Sequence, residues 1–186
     1  MSDEQYMAEA LREAAAASAQ GEVPIGGVVV CKGKIIARAH NLTETLTDPT
    51  AHAEMQLIGM AASCIGGKYL DGCTLYVTVE PCPMCAAALN WAQLGRLVYG
   101  ASDPKRGYSM FSPSLLHPKT QVVSGILKDE CGSMVSDFFK NKKGRTFKRM
   151  HDLKRLIMNA PWYQAARIRR MPGIHFVLQL YIRQGQ

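Results

Sequence analysis

At 186 residues and 47% apolar composition, the chain suits one globular domain, or one domain with an appendage. Sixteen Gly and nine Pro give no low-complexity bias, no internal repeat is present, and no run of about 18 apolar residues offers a membrane span. The net charge of +7 is unevenly placed: residues 1–143 hold 13 Lys/Arg against 14 Asp/Glu, whereas residues 144–186 hold nine Lys/Arg against Asp152 alone. The basic balance therefore lives in the tail and says nothing about affinity of the body for a polyanion. A main body over 1–143 and a basic extension over 144–186 are expected as separate parts, the extension carrying no assigned site and poor order.

The acidic start Met1-Ser2-Asp3-Glu4 lacks the basic and apolar segments of a signal peptide, so a cytoplasmic location is expected. In that compartment six cysteines read as free thiols rather than three disulfides. Cys31, Cys64, Cys73 and Cys131 lie in or beside apolar stretches and are expected to be buried without a chemical role.

Residues 3–19 predict an amphipathic helix, capped by Ser2 or Asp3 and stopped at Gly21. Its apolar positions Met7, Ala10, Leu11, Ala14 and Ala17 recur at helical spacing. Glu22-Val23-Pro24 leads into a buried strand over 25–31 and could line a pocket. Lys32-Gly33 is a hairpin turn, and residues 34–39 return as the second strand. Gly26-Gly27 predicts close approach of another backbone. Asn41, after that strand, carries an amide that can both donate to and accept from a base edge. Position alone favours a turn asparagine.

Asp48-Pro49-Thr50 predicts a helix entrance capped at Thr50, with His52 and Glu54 in the first turn and the helix ending near Ala62. Residues 73–79 are rich in β-branched and aromatic side chains and predict a strand. It delivers Glu80-Pro81-Cys82 to a helix over 83–94, and residues 96–99 predict a further strand. A long loop over 101–120 interleaves Lys105 and Arg106 with Tyr108, Met110 and Phe111, a mixture suited to single-stranded nucleic acid and equally to a solvated loop. Residues 121–126 predict a strand and 128–142 a helix.

The chemistry gathers at Pro81-Cys82-Pro83-Met84-Cys85 read with His52-Ala53-Glu54. Cysteines three apart at a helix start share one face. The helix dipole there favours thiolates, and two thiolates suit a cation such as zinc. His52 is the candidate third ligand, which leaves a fourth position open, as in catalytic zinc sites. Glu54 is then free to move protons. A lone Cys-x-x-Cys would be weak. His-x-Glu followed after residues 55–80 by Pro-Cys-x-x-Cys is the pattern of zinc-dependent base deaminases.

On these residues the chain resembles the cytidine-deaminase-like superfamily and, within it, the bacterial tRNA-specific adenosine deaminases. The finer likeness rests on Glu22-Val23-Pro24, Asn41, residues 48–54, residues 75–82, Gly100-Ala101-Ser102-Asp103 and Ser136-Asp137-Phe138-Phe139, and covers roughly residues 4–143. It implies that residues 1–143 form a zinc-dependent deaminase domain. The expected fold is three-layer α/β/α with a five-stranded mixed sheet, in a homodimer whose subunits jointly shape the RNA site. It implies hydrolytic conversion of adenosine to inosine at the wobble position of a tRNA anticodon. The reaction would use one Zn2+ per subunit on His52, Cys82 and Cys85, zinc-bound hydroxide as nucleophile, and Glu54 as proton shuttle. Asn41 would hydrogen-bond the purine, the Ala53 backbone would lie near the attacked carbon, and Val23 and Pro24 would wall the pocket. Asp103 would touch the anticodon loop, and Phe139 would support flanking nucleotides. The run Pro-Cys-Pro-Met-Cys also resembles free-base deaminases of the superfamily, so deamination of guanine, cytosine or a nucleoside is an alternative. A zinc-stabilised RNA-binding module without catalysis is a third, and Glu54 argues against it.

Overall fold

The computed structural model describes residues 1–111 and 113–159. The chain divides into two compact units, Met1–Phe139 and Lys140–Gln186, and the first holds His52, Glu54, Cys82 and Cys85. Residues 160–186 of the basic extension lie outside the described residues.

The first helix, α1 (Asp3–Ala19), opens on a capping box. The Ser2 hydroxyl accepts from the Gln5 N–H while the Gln5 side chain accepts from the Ser2 N–H, satisfying two otherwise orphaned donors. Strands β1 (Gly26–Cys31) and β2 (Lys34–His40) form the expected hairpin. Lys32 and Gly33 both take positive φ, as a two-residue turn that matches strand twist requires. Helix α2 (Ala53–Ile65), strand β3 (Cys73–Val79), helix α3 (Pro83–Trp91), strand β4 (Arg96–Ala101), strand β5 (Gln121–Ser124) and helix α4 (Lys128–Asn159) follow. A 3-10 turn over Tyr108–Met110 interrupts the loop between β4 and β5.

The sheet order is β2-β1-β3-β4-β5. β1 is antiparallel to both neighbours, while β3, β4 and β5 run parallel. This is the expected five-stranded mixed sheet in a three-layer α/β/α fold. Period-two alternation assigns the faces. Val28, Val30, Tyr76 and Val98 pack against Tyr6, Met7 and Ala10 of α1 and Cys131 of α4. Val29, Leu75, Val77 and Leu97 pack against Leu57 of α2 and Leu89 of α3. The two glycines of β1 permit this sandwich. A Cβ on Gly26 would overlap the α1 backbone at Ala10 and Ala14, and one on Gly27 would overlap the Tyr76 carbonyl and Leu57.

Several expected ends move. Thr50 does not cap α2: its hydroxyl donates to Asp48, and His52 takes the cap position. α3 stops at Trp91 rather than Leu94, because Gln93 adopts positive φ. α4 continues past the expected end at Lys142 to Asn159; Gly144 inside it costs only about 1 kcal/mol against Ala, which a helix tolerates. All six cysteines are free thiols, yet Cys64 is exposed and Cys31 half-buried, against the expectation of burial. Cys31 is the last residue of β1 and Cys64 lies in the final turn of α2, where each element runs out of the core.

Asp3 joins the chain start to the sheet. Arg96 Nη1 and Nη2 donate to its two oxygens at 2.9 and 2.6 Å, and the Tyr76 hydroxyl donates at 2.7 Å. The Arg96 hydrogen bonds hold the Asp3 carboxyl below its ordinary value despite partial burial. A carboxyl with a lowered folded pKa stabilises above its unfolded value, about 3.9, and loses that contribution as pH falls through the folded value. Asp3→Asn is therefore expected to be less stable than the parent at pH 7, with the gap closing as pH falls through the lowered value of the folded carboxyl. Urea midpoints across pH check this, and a gap that stays constant would exclude the ionic contribution.

Candidate active site

Three donors converge at the carboxyl end of β3. The Cys82 and Cys85 sulfurs lie 3.6 Å apart, and His52 Nδ1 lies 3.7 Å from Cys82 Sγ and 3.5 Å from Cys85 Sγ. Tetrahedral zinc with ordinary Zn–S and Zn–N bonds separates two sulfurs by about 3.8 Å and sulfur from nitrogen by about 3.6 Å. The donor set and its spacing therefore fit such an ion. Among the described residues this is the group of His, Cys, Asp and Glu side chains arranged to hold a metal.

Local structure explains the convergence. His52 and Cys82 are the residues immediately before α2 and α3, and neither side chain caps its own helix. Pro83 occupies the first turn of α3, where its missing N–H costs nothing. Each side chain is thus released from capping and turned toward the other helix start, while Cys85 follows one turn into α3. The acceptor normally supplied by a cap comes from elsewhere: Asn41 Oδ1 accepts the Ala53 N–H at 3.1 Å.

The protons are shared unequally. The Cys82 thiol is brought down to about 4, chiefly by a hydrogen bond with Cys85 and then by His52. Cys85, hydrogen-bonded to Cys82 and buried, is pushed up. The His52 imidazole is raised by its hydrogen bond to Cys82. Two cysteine sulfurs and an imidazole in mutual contact form a set that can take up a cation as its remaining protons leave.

Glu54 stands beside them, only 3% exposed. Its Oε2 is buried with no hydrogen-bond partner among the described atoms. Burial raises its pKa, opposed by its own backbone N–H and by His52. An unpartnered buried carboxylate oxygen is costly and rare in a purely structural setting. It fits a group that exchanges protons with something held at the donor triad.

The remaining expected residues divide. Asn41, 4% exposed, and Ala53, fully buried, sit at the start of α2 in direct contact. Val23 is half-buried and Pro24 buried, and the next residue's carbonyl accepts the Asn41 N–H, so this wall adjoins the amide. Asp103 is half-buried, and its Oδ1 accepts the Lys105 and Arg106 N–H groups. It folds its own loop, which leaves both cations exposed. Phe139 is 45% exposed and meets Phe138 edge-on; none of its described contacts reaches the donor triad.

Two carboxylates escaped sequence reasoning. Glu22 is fully buried and accepts from the Thr43 hydroxyl and the Glu44 and Thr45 N–H groups. Burial pushes its carboxyl up, but the N–H bonds outweigh that and bring it below the ordinary value. Glu80 accepts from the Asp103 and Ser109 N–H groups. For Glu80 the available signal was position alone, a carboxylate abutting the end of β3 just ahead of a proline.

Residues 1–143 match the model of the MafB19-like deaminases. The chain belongs to the MafB19-like deaminase family. A tRNA-specific adenosine deaminase of Bacillus subtilis is 51% identical over 143 residues, covering 74% of this chain and 89% of that protein. A solved structure from a study of A-to-I editing by tRNA:A34 deaminases at the wobble position of transfer RNA superposes with a TM-score of 0.66 at 44% identity. It covers 70% of this chain and 98% of that one. The guanine deaminase structure of Bacillus subtilis is also similar, at 39% identity and a TM-score of 0.53 over 55% of this chain and 66% of that one. Family membership and the donor triad agree on the chemistry: a deaminase whose site is compatible with zinc.

Removing one donor tests the triad. Cys85→Ala is expected to purify with almost no zinc where the parent holds about one per chain, and Glu54→Ala is expected to keep the parent's content. Elemental analysis by mass spectrometry reads both, and equal zinc in Cys85→Ala would place the metal elsewhere.

Proposed function

We propose that this deaminase converts adenosine to inosine at the wobble position of a tRNA anticodon, in the cytoplasm, as a zinc-dependent homodimer. The observation that carries the chemistry is the unpartnered Glu54 Oε2 beside three convergent donors. The substrate rests on the tRNA-acting relatives, whose similarity spans the whole body of the chain, and on the exposed Lys105 and Arg106 beside the site.

His52, Cys82 and Cys85 would hold the zinc, which would supply a water acidified toward neutral pH. Glu54 does the proton work. Its carboxylate takes a proton from water and delivers it to ring N1 as the water oxygen bonds to C6. It then passes the second proton to the exocyclic amine, which leaves as ammonia. The balance is adenosine plus water to inosine plus ammonia. Burial raises the Glu54 pKa, which makes the carboxylate a better proton acceptor than it would be in water. Asn41 is held in one orientation. Its Oδ1 is engaged by Ala53, so Nδ2 remains as donor toward a purine ring nitrogen. Val23 and Pro24 bound the base on the side of Asn41. Pairing of two copies is supported by Trp91, 85% exposed on α3, and Met60, 47% exposed on the neighbouring α2, since exposed large apolar groups on adjacent helices favour burial against a partner.

Incubation with an anticodon stem-loop bearing wobble adenosine is expected to release ammonia and yield inosine. Glu54→Ala is expected to lose about 10²–10⁴-fold in kcat with zinc retained. Ammonia from free guanine or cytosine with none from the stem-loop would establish the small-molecule reading instead. Retained turnover in Glu54→Ala would remove the proton-shuttle role.

A further inference from the structure

We propose that Glu80 is a positioning residue that locks the 103–109 loop to the start of α3, so that the cations of this loop are held in place for RNA. The role rests on the tRNA reading above.

Glu80 is 5% exposed and sits between β3 and the two-cysteine helix. Both of its oxygens point into the loop. Oε2 accepts the Asp103 N–H at 2.9 Å and Oε1 accepts the Ser109 N–H at 3.0 Å. One carboxylate thus clamps the two ends of a seven-residue loop. Its own backbone N–H donates to the Ala101 carbonyl at 2.8 Å, and the Tyr108 N–H donates to the Pro81 carbonyl at 3.0 Å. The loop is therefore bound to residues 80 and 81, directly ahead of Cys82.

Inside the clamp the loop is closed on itself. Gly107 donates to the Asp103 carbonyl, and Asp103 Oδ1 takes the N–H groups of Lys105 and Arg106. Tyr108 is buried and meets Tyr99 edge-on. Gly107 has no room for a side chain, since a Cβ would overlap the Glu80 carboxylate. The cations of the loop, Lys105 and Arg106, are left exposed by this arrangement. Hydrogen bonds to an ionised carboxylate are stronger than neutral ones, and a buried acceptor cannot exchange its partners for water without cost. A loop tied in this way meets a polyanion with its cations already ordered, which lowers the entropic cost of binding. The metal donors need no such clamp, because their convergence is set by the helix starts. Glu80 is thus expected to act on substrate affinity and to leave the reaction step alone.

The test uses the full zinc-loaded chain and the wobble-adenosine stem-loop. Glu80→Gln keeps the size of the side chain but turns an N–H₂ group toward one of the two loop N–H groups. It is expected to raise KM about tenfold, with kcat within about twofold and zinc content unchanged. Amide hydrogen exchange at Asp103 and Ser109 is expected to quicken. Gly107→Ala approaches the same contact from the other side and is expected to give the same split. The double variant is expected to be little worse than either single one, because both break one contact. Unchanged KM in both variants, with a wild type active on the stem-loop, overturns the proposal while leaving the tRNA reading intact. A fall in kcat or zinc at constant KM overturns it too, placing Glu80 in the metal site. A wild type inactive on the stem-loop overturns the substrate reading together with the RNA-binding role, and amide exchange then decides whether Glu80 orders the loop.

Discussion

Two helix starts meeting end to end at one corner of the sheet are the constraint on which the site depends. A helix N-terminus carries partial positive charge and unsatisfied N–H groups. His52 and Cys82 occupy the positions where side chains ordinarily satisfy those groups, and neither does so. The fold compensates at α2 by lending the amide of Asn41, from the end of β2, to the Ala53 N–H. The hydrogen bond with Cys85 does most to bring the Cys82 thiol to about 4, followed by His52. The two dipoles act in the same direction, favouring anionic ligands at their meeting point. Stability given up at two caps reappears as two side chains free to bind a cation.

The parallel arrangement of β3, β4 and β5 makes this corner possible. Parallel strands must be joined by crossovers, and helices start where strands end, so loops collect along one edge. β3 ends at Val79, and the chain then places Glu80, Pro81 and Cys82 in succession. β4 ends at Ala101, and Asp103 is at once in reach of Glu80. The glycines of β1 let α1 and α2 press against the sheet from both sides, which holds α2, and with it His52 and Glu54, at a fixed height above β3.

Local signals made most of the fold legible. α1 was readable to the residue because Ser2, the alanine run and Gly21 all agree, and β3 because its β-branched run is bounded cleanly. The His-x-Glu and Pro-Cys-x-x-Cys pair was legible because spacing within each half is set by local backbone geometry. What escaped depends on contacts far apart in sequence. Nothing near Glu22 announces that residues 43–45 will fold over it, and nothing near Glu80 announces residues 103 and 109. Asp103 was expected beside the anticodon loop on the family resemblance alone; that its carboxylate also bonds the N–H groups two and three residues on was not foreseen. Thr50 was expected to cap α2 because threonine often does, but Asp48 claims its hydroxyl first. The end of α4 was misplaced because Lys142-Lys143-Gly144 looks like a helix stop, whereas one glycine weakens a helix without ending it.

The charge balance of the body raises a physical difficulty that these buried carboxylates resolve. A part with 13 cations and 14 anions has no net attraction for a polyanion, and affinity must come from how charges are distributed. Three acidic groups close to the site are turned inward. Glu22, Glu54 and Glu80 are all buried, and the first and last are surrounded by backbone N–H donors from the loops beside them. Asp103 is half-turned inward in the same way. A carboxylate whose oxygens are met by N–H dipoles projects a weaker field into solvent than one facing water. Lys105 and Arg106 project theirs undiminished, because they lie exposed at the tip of the loop. The same hydrogen bonds that order the rim therefore separate the charges, hiding the negative ones and presenting the positive ones. A body that is close to neutral in sum thus presents two cations on the loop bound directly ahead of Cys82, and it does so without the basic tail.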